Sequence, residues 1–256
     1  MSGMSANPSR PPLSRARQRA DRVLVEHGLF ESRAKAQEAI AAGLVRVEGE
    51  VLHKASQMID ADHYIEASAP YPWVSRGGVK LAAGIEAFGV DPRNRLCLDI
   101  GASTGGFTHV LLSHGAKKVI AIEVGHGQLH ETIAKNPRVD SREGVDARDL
   151  RPQDFPILPS LITCDASFIS LHLLLPAILA LGDDDAFFIG LIKPQFEAGR
   201  GHKSIIRDGA IHARVCAEVE EHVAKLGWQK EGIIPSPITG TDGNQEFLIG
   251  ARRTKA

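Results

Sequence analysis

The chain has 256 residues, 43% of them hydrophobic, with 30 basic against 31 acidic side chains and a formal net charge of −1 at pH 7. That length holds one large domain or a medium one beside a small one, and the balanced charge predicts no nucleic-acid partner by itself. Three scattered cysteines (Cys97, Cys164, Cys216) exclude a disulfide framework or zinc knuckle, no apolar run approaches the roughly 18 residues of a membrane span, and the N-terminus lacks a secretory apolar core. A soluble, cytoplasmic protein with reduced structural thiols and no metal is expected.

Residues 1–13 carry three prolines among small polar residues and predict a disordered arm. Charge is then local: residues 10–35 hold seven Arg or Lys against three acids. Arg19 to Gly28 predicts a helix with Ala20, Val23, Leu24 and His27 on one face, closed by the glycine. Ser32 is placed to cap a second helix that runs from Arg33 to Ala42 and stops at Gly43. A short strand over 44–47, the Glu48-Gly49 turn and a return through Val51 and Leu52 complete a small α+β module.

The pattern Arg19-Ala-Asp-x-x-Leu-Val-x-x-Gly-Leu-Phe-x-Ser-Arg-x-Lys-Ala-Gln37, continued by Ile40-x-x-Gly-x-Val-x-Val-x-Gly49, resembles the S4 RNA-binding domain over residues 14–67. The resemblance implies that the two helices lie on structured RNA, and it assigns Arg19, Arg22, Ser32, Arg33, Lys35 and Arg46 to the RNA face. Contacts of this kind go to phosphates, which supply affinity and salt dependence but little sequence choice. For any one of these residues, a solvated helix face explains it equally well.

Residues 68–74, with two prolines, predict an extended linker. Trp73 to Leu81 then opens a helix through Ala82, Ile85 and Phe88, with Lys80 just after a glycine pair. Residues 75–256 are expected to form the second, larger domain.

The organising stretch is Asp99-Ile-Gly-Ala-Ser-Thr-Gly-Gly-Phe-Thr108, between the apolar run Arg95-Leu-Cys-Leu98 and a helix ending at Gly115. Strand, glycine-rich turn and helix form the first unit of a nucleotide-binding α/β sheet. Gly101-x-x-x-Gly105-Gly106 is not the spacing that receives a pyrophosphate, and Asp99 would repel phosphates while accepting hydrogen bonds from an ammonium or hydroxyl. S-adenosylmethionine is favoured over a dinucleotide, with Asp99, Gly101, Ala102, Ser103, Gly105 and Phe107 around it. Glu123 ends a second strand, Lys118-Val-Ile-Ala-Ile-Glu123, where a carboxylate suits ribose hydroxyls, and Asp146 follows a third as a partner for the adenine amino group. A fourth strand ends at Asp165 and a fifth, Ala186-Phe-Phe-Ile-Gly-Leu-Ile192, at Lys193.

Ligands of open α/β sheets gather at the carboxyl ends of the strands, so Asp165 and Lys193 are expected on the rim with Asp99 and Glu123. A lysine straight after a buried apolar run is a poor structural choice unless paired. A helix over 209–226, a strand near Ile233 and a last strand from Asn244 follow; if that strand is antiparallel, Glu246 at its start joins the same rim. A ribose hydroxyl is far too weak an acid to ionise at neutral pH, so a lysine there can act as base or as electrostatic partner to the developing alkoxide.

Ser75-Arg-Gly-Gly-Val-Lys-Leu81, Asp99 to Thr108, Gly125-x-Gly-Gln-Leu129, Asp165-x-Ser-Phe-Ile-Ser-Leu171, Leu191-Ile-Lys-Pro-Gln-Phe-Glu197 and Gly243-Asn-x-Glu-Phe247 together resemble the TlyA (haemolysin A-like) ribosomal RNA methyltransferases. With the S4 module the resemblance spans nearly the whole chain. It implies a Rossmann-like class I methyltransferase sheet, mostly parallel with an antiparallel last strand, and S-adenosylmethionine as methyl donor. It also implies an FtsJ-type catalytic tetrad, which falls on Lys80, Asp165, Lys193 and Glu246, and a 2′-O-methylated cytidine as product, with ribosomal RNA or ribosomal subunits as partner and a monomer as a plausible state. Glu123 stands where the family pattern has aspartate, His126 where it has tyrosine and Asp146 where it has asparagine; Gly199 to Asp208 is shorter and poorer in glycine than the family loop. The short segment after the last strand hints at the large-subunit RNA alone. The rival readings are an RNA-binding assembly factor without turnover, a haemolysin, and a metal site on His126 and His130, which lacks a third ligand.

Overall fold

The computed structural model describes residues 17–199 and 205–253, so the arm expected over 1–13 and part of the Gly199–Asp208 loop lie outside the described residues. The chain divides into two units, Met1–Pro72 and Trp73–Ala256.

In the first unit, β1 (Gln18–Arg19) leads into α1 (Ala20–Glu26), and α2 (Arg33–Ala41) follows. The Ser32 hydroxyl accepts from the Lys35 N–H and so caps α2. β2 (Val45–Val47) pairs antiparallel with both β3 (Glu50–Val51) and β5 (Ile65–Ala67), while β4 (Met58–Ile59) pairs with β1. Ala20, Val23 and Leu24 pack with Ala36, Ala39, Ile40, Val45, Leu52 and Ile59 in one small core. His27, expected on that face, is instead exposed at the C-cap of α1, because the helix ends one residue before it.

The second unit opens with α3 (Gly77–Phe88) and continues as β6 (Leu96–Ile100), α4 (Gly106–Ser113), β7 (Lys118–Glu123), α5 (Glu131–Ala134), β8 (Val139–Glu143), β9 (Leu161–Cys164), α6 (Leu171–Leu179), β10 (Phe187–Ile192), α7 (Pro194–Glu197), α8 (Gly209–Lys225), β11 (Trp228–Pro235) and β12 (Phe247–Arg253). The seven strands lie in the order β11-β12-β10-β9-β6-β7-β8. β12 alone runs against the direction of the other six strands, inserted between β10 and β11 and antiparallel to both. Residues alternate between the two faces. Leu98, Ile100, Phe188 and Ile192 pack under α6 and α8, while Cys97, Phe187, Ile189 and Leu191 pack under α3, α4 and α5. Burial raises the thiols of Cys97 and Cys164 to about 12, which leaves them inert packing groups.

This topology sets the rim. The strand order changes direction between β6 and β9, so the crevice beyond their carboxyl ends is open to a ligand. Because β12 is antiparallel and Ile192 registers with Phe247, the start of β12 meets the end of β10. Lys193 and Glu246 are thereby brought to the same edge from 53 residues apart in sequence.

Candidate active site

The turn after β6 is built from residues with positive φ: Gly101 at 76°, Ser103 at 46° and Gly105 at 95°. A Cβ on Gly101 would lie 3.0 Å from the Asp165 carbonyl, so only glycine allows β6 and β9 to close here. Glu123 at the end of β7 fixes the turn from the side, its carboxylate accepting from the N–H of Ser103 (2.9 Å) and of Gly125 (2.8 Å). Glu143 at the end of β8 does the same for the next loop, accepting from the N–H of Gly127, Gln128 and Leu129, and those bonds hold its carboxyl below the ordinary range. These loops wall a cavity of about 940 Å³, lined by Gly101, Ser103, Glu123, Asp146, Asp165 and Phe168 among others. The size suits a nucleoside-sized ligand.

A second cavity of about 370 Å³ adjoins it, sharing Gly101, Ser103, Asp165, Ser167 and Phe168 as common wall. All four residues of the expected tetrad line it. They form two ion pairs: Lys80 Nζ to Glu246 Oε2 at 2.6 Å, and Lys193 Nζ to Asp165 Oδ1 at 2.6 Å. Lys80 and Lys193 are each 6% exposed and Glu246 3%. Lys193 also donates to the Ser167 hydroxyl at 2.7 Å. Two buried ammonium groups and two carboxylates on one small surface are a costly arrangement for stability alone, which points to chemistry.

Not every expected ligand contact reaches a cavity. Asp99 is fully buried beneath the turn and lines neither cavity; its carboxylate accepts from the hydroxyls of Thr108 (2.6 Å) and Thr163 (3.0 Å). The side chain at the last residues of a central strand alternates inward, so it braces the turn rather than meeting a ligand. Burial lifts its pKa to about 6. Gly105 likewise lines neither cavity and packs under Leu129 and Ile133. Ala102 and Phe107 border the smaller cavity, not the larger. Asp146 lines the larger cavity but is forked to the Arg148 guanidinium, which pulls its carboxyl down to about 2.

Three residues at the site stand in the quoted motifs but are given no role from the sequence. Phe168 adopts φ 66°, is 91% exposed, borders both cavities and lies against Phe196 with ring centroids 5.5 Å apart. A bulky side chain held in the left-handed region and left in solvent is a costly placement for stability alone. Glu197 accepts from the Ser170 hydroxyl and the Leu171 N–H, clamping the Lys193 segment to the Asp165 segment. Asn244 accepts from the Ile206 N–H and donates to Asp242, fixing the approach to Glu246.

In the first unit, Arg19 and Arg33 both bond the buried carboxylate of Asp21. Arg22 pairs with Glu26, Lys35 with Glu31, and Arg46 donates to the Gly49 carbonyl; all three lie on the surface. Ser32 is occupied as the α2 cap. His130 caps α5, and among the described residues no group of three metal-ligating side chains forms.

The model of FtsJ-like methyltransferases matches residues 73–253, and that of the S4 domain residues 18–63. The chain is 40% identical over 241 residues to the 16S/23S rRNA (cytidine-2′-O)-methyltransferase TlyA of Mycobacterium tuberculosis, covering 92% of this chain and 90% of that protein. It is 42% identical to Hemolysin A of Brachyspira hyodysenteriae, over 90% and 98% of the two chains. A solved structure from Streptococcus thermophilus, described as a candidate hemolysin, shares 38% identity and a TM-score of 0.74 over 94% of this chain and 90% of that one.

Proposed function

The chain belongs to the TlyA family of FtsJ-like methyltransferases with an S4 domain, and from that premise we propose that it methylates the 2′-hydroxyl of a cytidine in ribosomal RNA. The observation that carries this reading is the pair of adjoining cavities, one sized for a nucleoside-bearing donor and one lined by Lys80, Asp165, Lys193 and Glu246.

The larger cavity fits S-adenosylmethionine. Glu123, Gly101 and Ser103 of the turn, Asp146, Arg148, Leu173 and Leu174 all line it, and of these Glu123 would meet the ribose hydroxyls and Leu173 and Leu174 the adenine ring. When bound, the donor supplies a methyl group on a positively charged sulfur, an electrophile that needs no metal or acid to activate it.

The chain's own residues must then present a ribose hydroxyl and remove its proton. Lys193 does both. Lys80 and Lys193 both border only the smaller cavity, but the partners of Lys193, Asp165 and Ser167, border both, which supports Lys193 as the acting group. The free amine of Lys193 accepts the hydroxyl proton as the ribose oxygen takes the methyl, and the ammonium so formed pairs with Asp165 until it gives that proton to solvent. Lys80, anchored by Glu246, faces the same cavity with a fixed positive charge that favours the developing alkoxide. Phe168 and Phe196 at the mouth offer an aromatic face on which the target base stacks, as unpaired bases do on RNA-modifying enzymes. The S4 domain supplies affinity for the polymer.

Incubation with labelled donor and purified 23S or 16S ribosomal RNA, followed by mapping of 2′-O-methyl sites, tests the proposal. Label at a single cytidine 2′-oxygen is expected; label on a base, or on no RNA, would refute it.

A further inference from the structure

We infer that Asp21 assembles, from Arg19 and Arg33, a preformed cradle for one backbone phosphate of the RNA. The inference rests on the RNA-binding reading of the S4 domain and adds to it an organising residue that is itself acidic. Asp21 lies on α1 with no exposed surface, yet it carries a carboxylate. That carboxylate accepts from Arg19 Nε (3.1 Å) and Nη2 (3.0 Å), from Arg33 Nε (3.3 Å) and Nη2 (2.9 Å), and from Gln37 Nε2 (2.6 Å). Five donors from three side chains meet two oxygens, which satisfies a buried charge that would otherwise be very costly.

The geometry has a consequence for the two arginines. Both Nη2 atoms sit within 3.0 Å of the same oxygen, so they are no more than about 6 Å apart. Each guanidinium gives its Nε–Nη2 edge to Asp21 and keeps the other edge for a second acceptor, with the side chains 45% and 55% exposed. Two guanidiniums held by one carboxylate, each with an edge left over, can together supply donors to the oxygens of one phosphodiester. Arg22 and Lys35 differ: each makes a single contact to a glutamate four residues away, not a two-point fork on a buried carboxylate. Immobilising a long side chain costs entropy on binding, and Asp21 removes that cost for Arg19 and Arg33 before RNA arrives.

The test turns on a sign. As plain charge, Asp21 opposes RNA, so Asp21→Asn would tighten binding. As organiser, its loss must weaken binding despite the gain in positive charge. Affinity of the full chain for transcribed 23S ribosomal RNA is measured at several salt concentrations. Asp21→Asn is expected to weaken it by about tenfold, with the thermal transition of the first unit still present. Arg33→Lys, which keeps both the charge and Asp21, is expected to weaken it by a similar factor, and the double variant by little more than either alone. Tighter binding by Asp21→Asn overturns the inference. Should that variant fail to fold, unchanged affinity of Arg33→Lys overturns it instead. Failure of the unmodified chain to bind with any salt dependence would refute the RNA reading beneath it, and is told apart because no variant is then needed.

Discussion

Replacing Lys193 by alanine removes the group assigned to take the hydroxyl proton. The side chain is 6% exposed and makes a 2.6 Å ion pair with Asp165 and a 2.7 Å hydrogen bond to Ser167. General-base catalysis by a positioned side chain is worth about 10²- to 10⁴-fold, or about 3–5 kcal/mol of barrier. Lys80 still offers charge to the alkoxide but sits on the other ion pair, so it does not replace the missing base. The larger cavity does not include Lys193, and donor affinity is expected to stay within about threefold of the unmodified chain, a change of under about 1 kcal/mol. The assay is transfer of labelled methyl to ribosomal RNA in single turnover, beside calorimetric titration of S-adenosylmethionine. Loss of transfer with retained donor binding is the expected pair of results. Transfer within a few-fold of the unmodified chain would remove Lys193 from the chemistry, and loss of donor binding would show that the variant damages the fold of the rim instead.

Phe168→Ala deletes a ring that is 91% exposed, so the thermal transition should hardly move while methyl transfer falls by roughly tenfold or more, the value of about 1–3 kcal/mol for base stacking on an aromatic ring; unchanged kcat/KM would refute the stacking role. Asp99 has a folded pKa raised to about 6 by burial, above its unfolded value near 4, so the fold is most stable with Asp99 protonated and loses about 3 kcal/mol as pH rises from 4 through 6. Asp99→Asn should therefore melt higher than the unmodified chain at pH 7.5, with the gap closing by about pH 4; a gap independent of pH would show that Asp99 does not titrate in this window. Removing residues 1–67 should weaken RNA binding and flatten its salt dependence while the second unit keeps its own thermal transition; unaltered methylation of ribosomal RNA would refute the role of the S4 domain.

Strand and helix positions were legible wherever apolar period and terminator agreed. β7 falls on the expected 118–123 and β10 within the expected 186–192, since each is an apolar run closed by a charged residue. The rim could be read too, because strand ends are fixed by chain order in an α/β sheet, and Glu246 needed only the antiparallel sense of β12. What failed was the direction of individual side chains. Asp99 ends its strand as a ligand contact should, but pleat alternation turns it inward, and which of two adjacent residues faces the cavity is settled by packing of Thr108 and Thr163. Phe168 stood in a quoted motif but without a role, because its left-handed φ depends on the loops around it, which no local pattern encodes. Asp21 looked like one acid diluting a basic stretch, because its contacts to Arg33 and Gln37 span two helices.

The insertion of β12 between β10 and β11 governs when this enzyme can work during its own synthesis. Strands β6 to β10 emerge first and can pair in their final order, leaving the apolar edge of β10 open. Glu246 arrives with the last strand, and Lys80 has no anchor until then. A nascent chain therefore holds the donor cavity before it holds the complete acceptor cavity, and β11 cannot join the sheet except through β12. A chain stopped before Glu246 therefore lacks both the partner of Lys80 and the strand that covers the edge of β10.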